Sequence, residues 1–135
     1  MSGEDTRRCV VLVDDSEADN FLHRLVIEES RHDVRIEVFD NPVTALEWFR
    51  SGAAPDGCLL FLDINMPQMT GFEFLEAFER DVDAEGAHIV VVMLTSSGLT
   101  SDRERAASFG TVRGYAEKPL TTEAFERLVE QELAG

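Results

Sequence analysis

Basic residues are scarce in this sequence, and lysine is almost absent. The 135 residues include 12 Lys and Arg against 27 Asp and Glu, which gives a formal net charge of −15 at pH 7. Nucleic-acid backbones and anionic membranes are bound through clusters of Lys and Arg, so the composition argues against both as partners. Lys118 is the only lysine. In a chain that otherwise uses Arg for its positive charges, this lysine is a candidate for a special task.

Long hydrophobic runs and cysteines are also few. No apolar run approaches the ~20 residues that span a bilayer, and residues 1–8 lack the apolar core of a signal peptide. The two cysteines, Cys9 and Cys58, lie within apolar runs without metal-ligand spacing. We interpret them as reduced core residues rather than a disulfide or a redox pair. The sequence therefore predicts a soluble, cytoplasmic protein.

The length and composition fit one domain. With 44% hydrophobic residues, the chain can form one substantial core but is too short for two domains of ordinary size. We expect a polar N-terminal lead over residues 1–7 and one folded domain over residues 8–135, without an output domain.

Short apolar runs alternate with amphipathic segments along the chain. The predicted strands cover residues 9–13, 34–39, 58–62, 89–94 and 112–116. A helix is predicted after each strand, and capping signals mark four helix starts, at Ser16, Asn41, Thr70 and Ser101. Five alternating strands and helices predict an α/β fold with a parallel sheet covered on both faces.

The composition of the strands predicts their order in the sheet. Residues 9–13, 58–62 and 89–94 are apolar throughout, as is typical of central parallel strands. Residues 34–39 alternate in polarity and residues 112–116 contain Arg and Gly, which places both strands at edges. The prediction is a flavodoxin-like, doubly wound five-stranded sheet of order 2-1-3-4-5 with five helices. Its ligand crevice is expected at the carboxyl ends of strands one and three, where the winding reverses.

Helical spacing also predicts which side chains face the core. In the first helix the predicted inner face follows roughly helical spacing through Ala18, Phe21, Leu22 and Leu25, and its last position is ambiguous between Ile27 and Glu28. In the third helix it comprises Phe72, Leu75 and Phe78, which leaves Phe74 as a candidate partner contact. The three histidines, His23, His32 and His88, are expected at the surface or at helix ends.

The polar residues at the strand ends form the candidate site. Asp14 and Asp15 follow strand one, Asp63 follows strand three, Thr95 follows strand four and Lys118 follows strand five. Two carboxylates about 4 Å apart repel each other by about 4 kcal/mol at an effective dielectric near 20, and a divalent cation removes this cost. Oxygen ligands with open water positions suit Mg²⁺ or Mn²⁺ better than zinc.

A metal beside a carboxylate, a hydroxyl and an ammonium group favours chemistry on a phosphoryl group. Lys118 and the metal would neutralise phosphoryl oxygens, and Thr95 would donate a hydrogen bond to one of them. A carboxylate can itself act as the nucleophile and form an aspartyl phosphate. Each residue alone has an ordinary explanation in turn chemistry or strand propensity. Their joint position at one sheet edge favours the phosphoryl site.

Four segments carry a family resemblance. They are VLVDDSEADN (11–20), LFLDINMPQMTGFEFL (60–75), VVMLTSS (91–97) and GYAEKPL (114–120). With these segments the chain resembles the receiver domain of two-component response regulators, especially the stand-alone regulators of the chemotaxis type. The resemblance extends over nearly the whole chain.

The resemblance implies a role for each site residue. Asp63 would be the phosphoacceptor, and Asp15, Asp63 and the backbone carbonyl of Asn65 would bind Mg²⁺, with Mn²⁺ as a possible substitute. Asp14 would support the metal, and Lys118 would contact the phosphoryl group.

Further positions are implied to switch or time the signal. Thr95 would be the switch hydroxyl, and Tyr115 the aromatic residue that turns inward when Thr95 engages the phosphoryl group. Asn65 and Ser97 match positions that influence hydrolysis of the acyl phosphate.

The leading hypothesis from the sequence is a signalling module. A histidine kinase or histidine phosphotransfer protein would phosphorylate Asp63, and a downstream protein would bind the region of residues 95–115. One alternative is a Mg²⁺-dependent phosphohydrolase of the haloacid-dehalogenase type, although the D-x-D motif of that class is here Asp63-Ile64-Asn65. A second alternative is an adaptor that works without phosphorylation.

Overall fold

The computed structural model describes residues 7–96 and 100–132. Its strands are β1 (Cys9–Val13), β2 (Arg35–Phe39), β3 (Cys58–Asp63), β4 (Val90–Thr95) and β5 (Val112–Glu117). Its helices are α1 (Glu17–Glu28), α2 (Pro42–Arg50), α3 (Gly71–Asp81), α4 (Thr100–Ala107) and α5 (Thr122–Glu132). The alternation of strands and helices matches the prediction from the sequence, and no strand boundary differs from the predicted one by more than one residue.

The five strands form one parallel sheet in the order β2-β1-β3-β4-β5. The flavodoxin-like fold and the strand order predicted from strand composition are confirmed. Strands β1 and β3 are buried along their full length, because helices cover both faces of the sheet. The edge strands β2 and β5 are only partly buried, as their more polar sequences indicate.

Two hydrophobic layers hold the helices on the sheet. Alternate side chains of each strand point to opposite faces, so Val11 of β1 belongs to one layer and Leu12 to the other. Helices α2, α3 and α4 contribute to the first layer, and α1 and α5 contribute to the second. The arrangement leaves the carboxyl ends of the central strands uncovered by helices.

Helix α1 buries a different face from the one predicted. Phe21, Leu22 and Leu25 are 66%, 43% and 40% exposed and Ala18 is exposed as well, so the assignment of these four residues to the core is wrong. The buried residues are Asn20, His23 and Ile27, so the ambiguous last position of the predicted series is resolved in favour of Ile27. Two of these three are polar, and each makes a hydrogen bond to a loop at the carboxyl edge of the sheet, which explains why hydrophobic spacing alone gave the wrong face.

Two further expectations for single residues are also wrong. Phe74 does not face a partner, because it is fully buried between Phe49 and Phe78, with ring centroids at 6.5 and 5.8 Å. Helix α3 packs against both the sheet and α2, so its buried face is wider than a single stripe. His23 is not a surface residue, because its side chain is almost completely buried under the loop that follows β5.

The two cysteines lie opposite each other on neighbouring strands. Cys9 and Cys58 are register partners of β1 and β3, both are fully buried, and neither of these two described residues forms a disulfide. This placement agrees with their interpretation as core residues. Among the described helices, none combines the length and the apolar character needed to cross a membrane.

Candidate functional site

The carboxyl edge of the sheet brings the predicted site residues together. Asp14 and Asp15 directly follow β1, Asp63 is the last residue of β3, Thr95 is the last residue of β4, and Lys118 follows β5. Parallel strands all end at the same edge, so residues that are far apart in sequence become neighbours there. The edge carries both acidic residues and the single lysine.

Three carboxylates form a compact group at this edge. Asp14, Asp15 and Asp63 each have an oxygen within 4.8 Å of the other two. Asp14 and Asp63 are almost completely buried, whereas Asp15 is exposed, so the group is open to solvent on the Asp15 side. Carboxylate oxygens with room for water are the ligands that Mg²⁺ prefers. The donor set therefore fits the predicted metal.

Lys118 is the cation that balances this acidic group. Its Nζ lies 2.6 Å from Asp14 Oδ2, 2.8 Å from Asp19 Oδ2 and 3.1 Å from Asp63 Oδ1. Burial lowers the pKa of Lys118, but hydrogen bonds to Asp14 and Asp19 and the charges of Asp14 and Asp63 outweigh burial. The net result is a pKa above the ordinary lysine value, so the ammonium form persists in the site.

Asp63 is the carboxylate whose ionisation the fold disfavours. Burial, followed by the negative charge of Asp14, raises the pKa of Asp63 to about 6. The charge of Lys118 and its hydrogen bond act in the opposite direction without cancelling the rise. At neutral pH Asp63 is therefore a buried anion whose charge is only partly compensated by the protein.

The loop after β3 depends on glycine at its end. The Gly71 N–H donates a hydrogen bond of 2.7 Å to the Ile64 carbonyl, which folds the loop back on itself. A Cβ atom at Gly71 would lie 2.5 Å from the Asp63 carbonyl oxygen and 3.0 Å from Ile64 Cα. Such contacts require the backbone to shift, so glycine allows α3 to start directly against the strand end that carries Asp63. Thr70 and Glu73 then cap α3 reciprocally.

Thr95 and Tyr115 lie on neighbouring strands beside the acidic group. Thr95 is fully buried. Its backbone carbonyl accepts a hydrogen bond of 2.7 Å from the backbone N–H of Lys118, which joins the end of β4 to the loop after β5. Tyr115 is half-buried on β5, and the Arg103 guanidinium of α4 lies 4.9 Å from the centre of its ring. A cation at this distance from an aromatic face is attracted to it. The contact therefore links α4 to β5.

Of the two residues predicted to influence hydrolysis of the acyl phosphate, only Asn65 lies in the described part of the chain. Asn65 lies in the loop two residues after Asp63 and is exposed to solvent. Ser97 lies outside the described residues.

Helix α1 supplies three site neighbours that the sequence analysis did not identify. Asp19 contacts Lys118, the Asn20 side-chain amide donates to the Asp14 carbonyl at 2.8 Å, and His23 Nε2 accepts a hydrogen bond of 3.2 Å from the Leu120 N–H. Their spacing along the helix places them on the side that faces the site. In the sequence, Asp19 is explained by the Ser-x-x-Asp capping pattern that begins at Ser16. Nothing in that pattern indicates a contact with Lys118.

A family comparison agrees with the fold and the motifs. The family described as response regulator receiver domain matches residues 10–130. The chain is 34% identical to the chemotaxis protein CheY of Pseudomonas aeruginosa, over 68% of this chain and 69% of that protein. It is also similar to the structure of a two-component response regulator from Cytophaga hutchinsonii, with a TM-score of 0.86, 26% identity and coverage of 97% and 100% of the two chains.

Other relatives are much longer than this chain. One is the protein-glutamate methylesterase/protein-glutamine glutaminase 3 of Burkholderia thailandensis, which is 33% identical over 82% of this chain and 29% of that protein. Another is the cyclic di-GMP phosphodiesterase response regulator RpfG of Xanthomonas campestris, of which the chain spans 28%. The chain thus corresponds to less than a third of these proteins.

Proposed function

This chain belongs to the response regulator receiver domain family, a family of signalling modules, and on that premise we propose that Asp63 accepts a phosphoryl group from a phosphohistidine. The donor would be a histidine kinase or a histidine phosphotransfer protein. The response would be a change in a protein-binding surface that includes parts of the region 95–115.

The observation that carries this proposal is the setting of Asp63. Its carboxylate lies beside Asp14 and Asp15 and contacts the ammonium group of the only lysine in the chain. One such contact has an ordinary structural explanation. The combination provides a nucleophile, a group of metal ligands and a cation at one open edge, which together support phosphoryl transfer.

The proposed reaction assigns a distinct task to each residue. An Asp63 oxygen forms a bond to phosphorus while the bond between phosphorus and the donor imidazole nitrogen breaks, and the imidazole takes up a proton. Asp15, Asp63 and the Asn65 carbonyl would hold Mg²⁺, supported by Asp14, and the ion would supply positive charge for the phosphoryl oxygens. Lys118 would contribute a second cation, and the Thr95 hydroxyl would donate a hydrogen bond.

The proposed output starts at Thr95. When the Thr95 side chain moves towards the phosphoryl group, the space beside β4 changes and Tyr115 can move inward. Tyr115 carries Arg103 on its ring, so an inward movement would break that contact and alter the surface between α4 and β5. Phosphorylation would in this way favour one of two existing arrangements.

The proposal is tested by incubating the protein with a small phosphodonor and Mg²⁺, followed by intact-mass measurement. We expect one added phosphoryl group that is stable in acid and labile in base, as an acyl phosphate is. The Asp63→Asn variant should remain unmodified, whereas Asp56→Asn, which changes an exposed aspartate elsewhere, should be labelled as wild type is.

The same experiment separates the alternative functions. A phosphohydrolase would turn over general phosphomonoesters rapidly, and an adaptor would acquire no label. Absence of labelling from small donors and from phosphorylated histidine kinases alike would contradict the proposal.

A further inference from the structure

The Lys118 ammonium is shared by more carboxylates than the proposed reaction uses. Asp14 and Asp63 belong to the acidic group, but Asp19 lies on helix α1 and is not part of that group. An ammonium has three N–H donors; two of them donate hydrogen bonds to Asp14 and Asp19, and an Asp63 oxygen lies 3.1 Å from the same nitrogen. In the unphosphorylated protein, two of the three Lys118 donors are therefore already held by Asp14 and Asp19.

The distances show where the ammonium is held. Its nitrogen lies closer to Asp14 and Asp19, at 2.6 and 2.8 Å, than to Asp63, at 3.1 Å. The phosphoacceptor thus receives the weakest of the three contacts.

Asp19 is also the contact that Lys118 can exchange most easily. The Asp19 side chain is 38% exposed, whereas that of Asp14 is 5% exposed. A carboxylate that reaches water can be rehydrated when it loses its partner, but a buried one pays the full cost of desolvation. If Lys118 turns towards a new anion, Asp19 is therefore the partner it leaves.

We propose that Asp19 is a positioning residue that holds Lys118 in the unphosphorylated state and slows phosphoryl uptake by Asp63. This inference rests on the proposed function of Asp63. The incoming phosphoryl group takes over the Lys118 N–H that Asp19 held, and the freed Asp19 carboxylate returns to water. Asp19 also adds a negative charge beside the site, which opposes the approach of an anionic donor.

The chain offers a closely matched control on the same helix turn. Glu17 and Asp19 are the two acidic residues in the first turn of α1, and both interact favourably with the helix dipole. Of these two residues, Asp19 is the one in contact with Lys118 in the described part of the structure. Asp19→Asn and Glu17→Gln therefore each remove one negative charge from the same turn, but only Asp19→Asn removes the ion pair with Lys118.

The first measurement is the rate of phosphoryl uptake from a small phosphodonor at saturating Mg²⁺. We expect Asp19→Asn to accelerate uptake roughly five-fold, the scale of one partly screened charge near the site. Glu17→Gln should stay within about two-fold of wild type, and Asp19→Glu, which keeps the carboxylate, should remain slower than Asp19→Asn. An unchanged or reduced rate in Asp19→Asn overturns the inference.

The second measurement uses the single lysine as a spectroscopic probe. In protein labelled with ¹³C and ¹⁵N only in lysine, the one side-chain ammonium (¹⁵Nζ) NMR signal belongs to Lys118. We expect this signal to move in Asp19→Asn but not in Glu17→Gln, and to move in wild type when Mg²⁺ and beryllofluoride mimic the phosphoryl group. Identical signals in Asp19→Asn and wild type overturn the inference. Failure of wild type to accept phosphate contradicts the proposed function instead, and the lysine signal still reports whether Asp19 holds Lys118.

Discussion

Asp63 combines two properties that oppose each other in the resting protein. It is almost completely buried, yet it lies beside Asp14 and Asp15, and the Lys118 ammonium that contacts it is shared with other carboxylates. A buried anion with incomplete compensation reduces the stability of the fold. The proposed phosphoacceptor is therefore expected to be maintained at a cost in stability.

That cost has a predictable dependence on pH in metal-free buffer. The pKa of Asp63 is raised to about 6 by burial and by Asp14, whereas an aspartate in the unfolded chain titrates near 3.9. The group therefore destabilises the fold progressively as pH rises from about 4 to about 6, and by a constant amount above that. Asp63→Asn should be more stable than wild type by about 2–3 kcal/mol at pH 8, with little difference near pH 4.

Urea unfolding with EDTA, at several pH values, measures this difference. Asp56→Asn should show no comparable gain, because Asp56 is exposed. A gain in Asp63→Asn that is the same at pH 4 and pH 8 would contradict the ionisation argument and would indicate a packing effect.

His23 is a second buried titratable residue, and its role is to accept a hydrogen bond. Its Nε2 receives the N–H of Leu120, two residues after Lys118, so it fixes the loop that carries the lysine. His23→Leu should lower the free energy of unfolding by about 1–3 kcal/mol, because a buried N–H loses its acceptor. His23→Gln, which offers an amide oxygen, should recover part of this loss. Equal losses in the two variants would show that packing rather than the hydrogen bond matters.

The stability supplied by His23 should also disappear in acid. Burial, followed by the charge of Lys118, lowers the pKa of His23, so the folded state favours the neutral ring. A group with a lowered pKa of this kind stabilises the fold above the unfolded histidine pKa near 6.5 and loses that contribution as pH falls. The advantage of wild type over His23→Gln should therefore shrink below about pH 6.5 in urea unfolding, and an advantage that grows in acid would refute this sign.

At the scale of elements, helix α1 connects the sheet to the site through polar residues. Its exposed hydrophobic side chains contribute little to the core, and its buried side holds Asn20, His23 and Ile27. We expect Leu22→Ala to change the free energy of unfolding by less than about 1 kcal/mol, because this leucine is 43% exposed. Ile27→Ala should cost about 2–4 kcal/mol, because Ile27 is fully buried. A larger loss of unfolding free energy in Leu22→Ala than in Ile27→Ala, measured by thermal or urea unfolding, would show that the Leu22 side of the helix is the buried one.

The elements differ in how far the sequence predicts them. Strands β1, β3 and β4 are predictable because central parallel strands are apolar runs, and their ends are marked by Asp14, Asp63 and Thr95. The buried face of α1 is not, because it includes polar residues whose burial depends on hydrogen bonds to loops, and the donor to His23, Leu120, lies 97 residues away in sequence. Local periodicity contains no information on such partners.

The same limit applies to the site. Its strand-end residues could be predicted from alternation and order, because parallel strands share one edge. Asp19 could not, since the capping pattern of α1 accounts for an acidic residue at that position without any role in the site. Only the geometry around Lys118 distinguishes the two roles.

At the scale of the whole molecule, the net charge of −15 has two separable consequences. General repulsion among dispersed carboxylates is screened by any salt, over a Debye length of about 10 Å at 0.1 M. Repulsion within the group of Asp14, Asp15 and Asp63 is local, and a bound divalent ion relieves it more effectively than screening does. Magnesium and sodium should therefore stabilise the protein to different extents at the same ionic strength.

Thermal or urea unfolding in MgCl₂, against NaCl of matched ionic strength, separates the two effects. Wild type should gain stability in Mg²⁺ beyond the NaCl value, with each tenfold excess over the dissociation constant adding about 1.4 kcal/mol. Asp15→Asn should lose this additional gain while still responding to NaCl, because it removes a ligand but leaves the dispersed charges. Glu47→Gln, which removes an exposed charge on α2, should keep the gain. Equal stabilisation by the two salts in wild type would mean that the acidic group attracts no specific ion, and that −15 acts only as a diffuse charge.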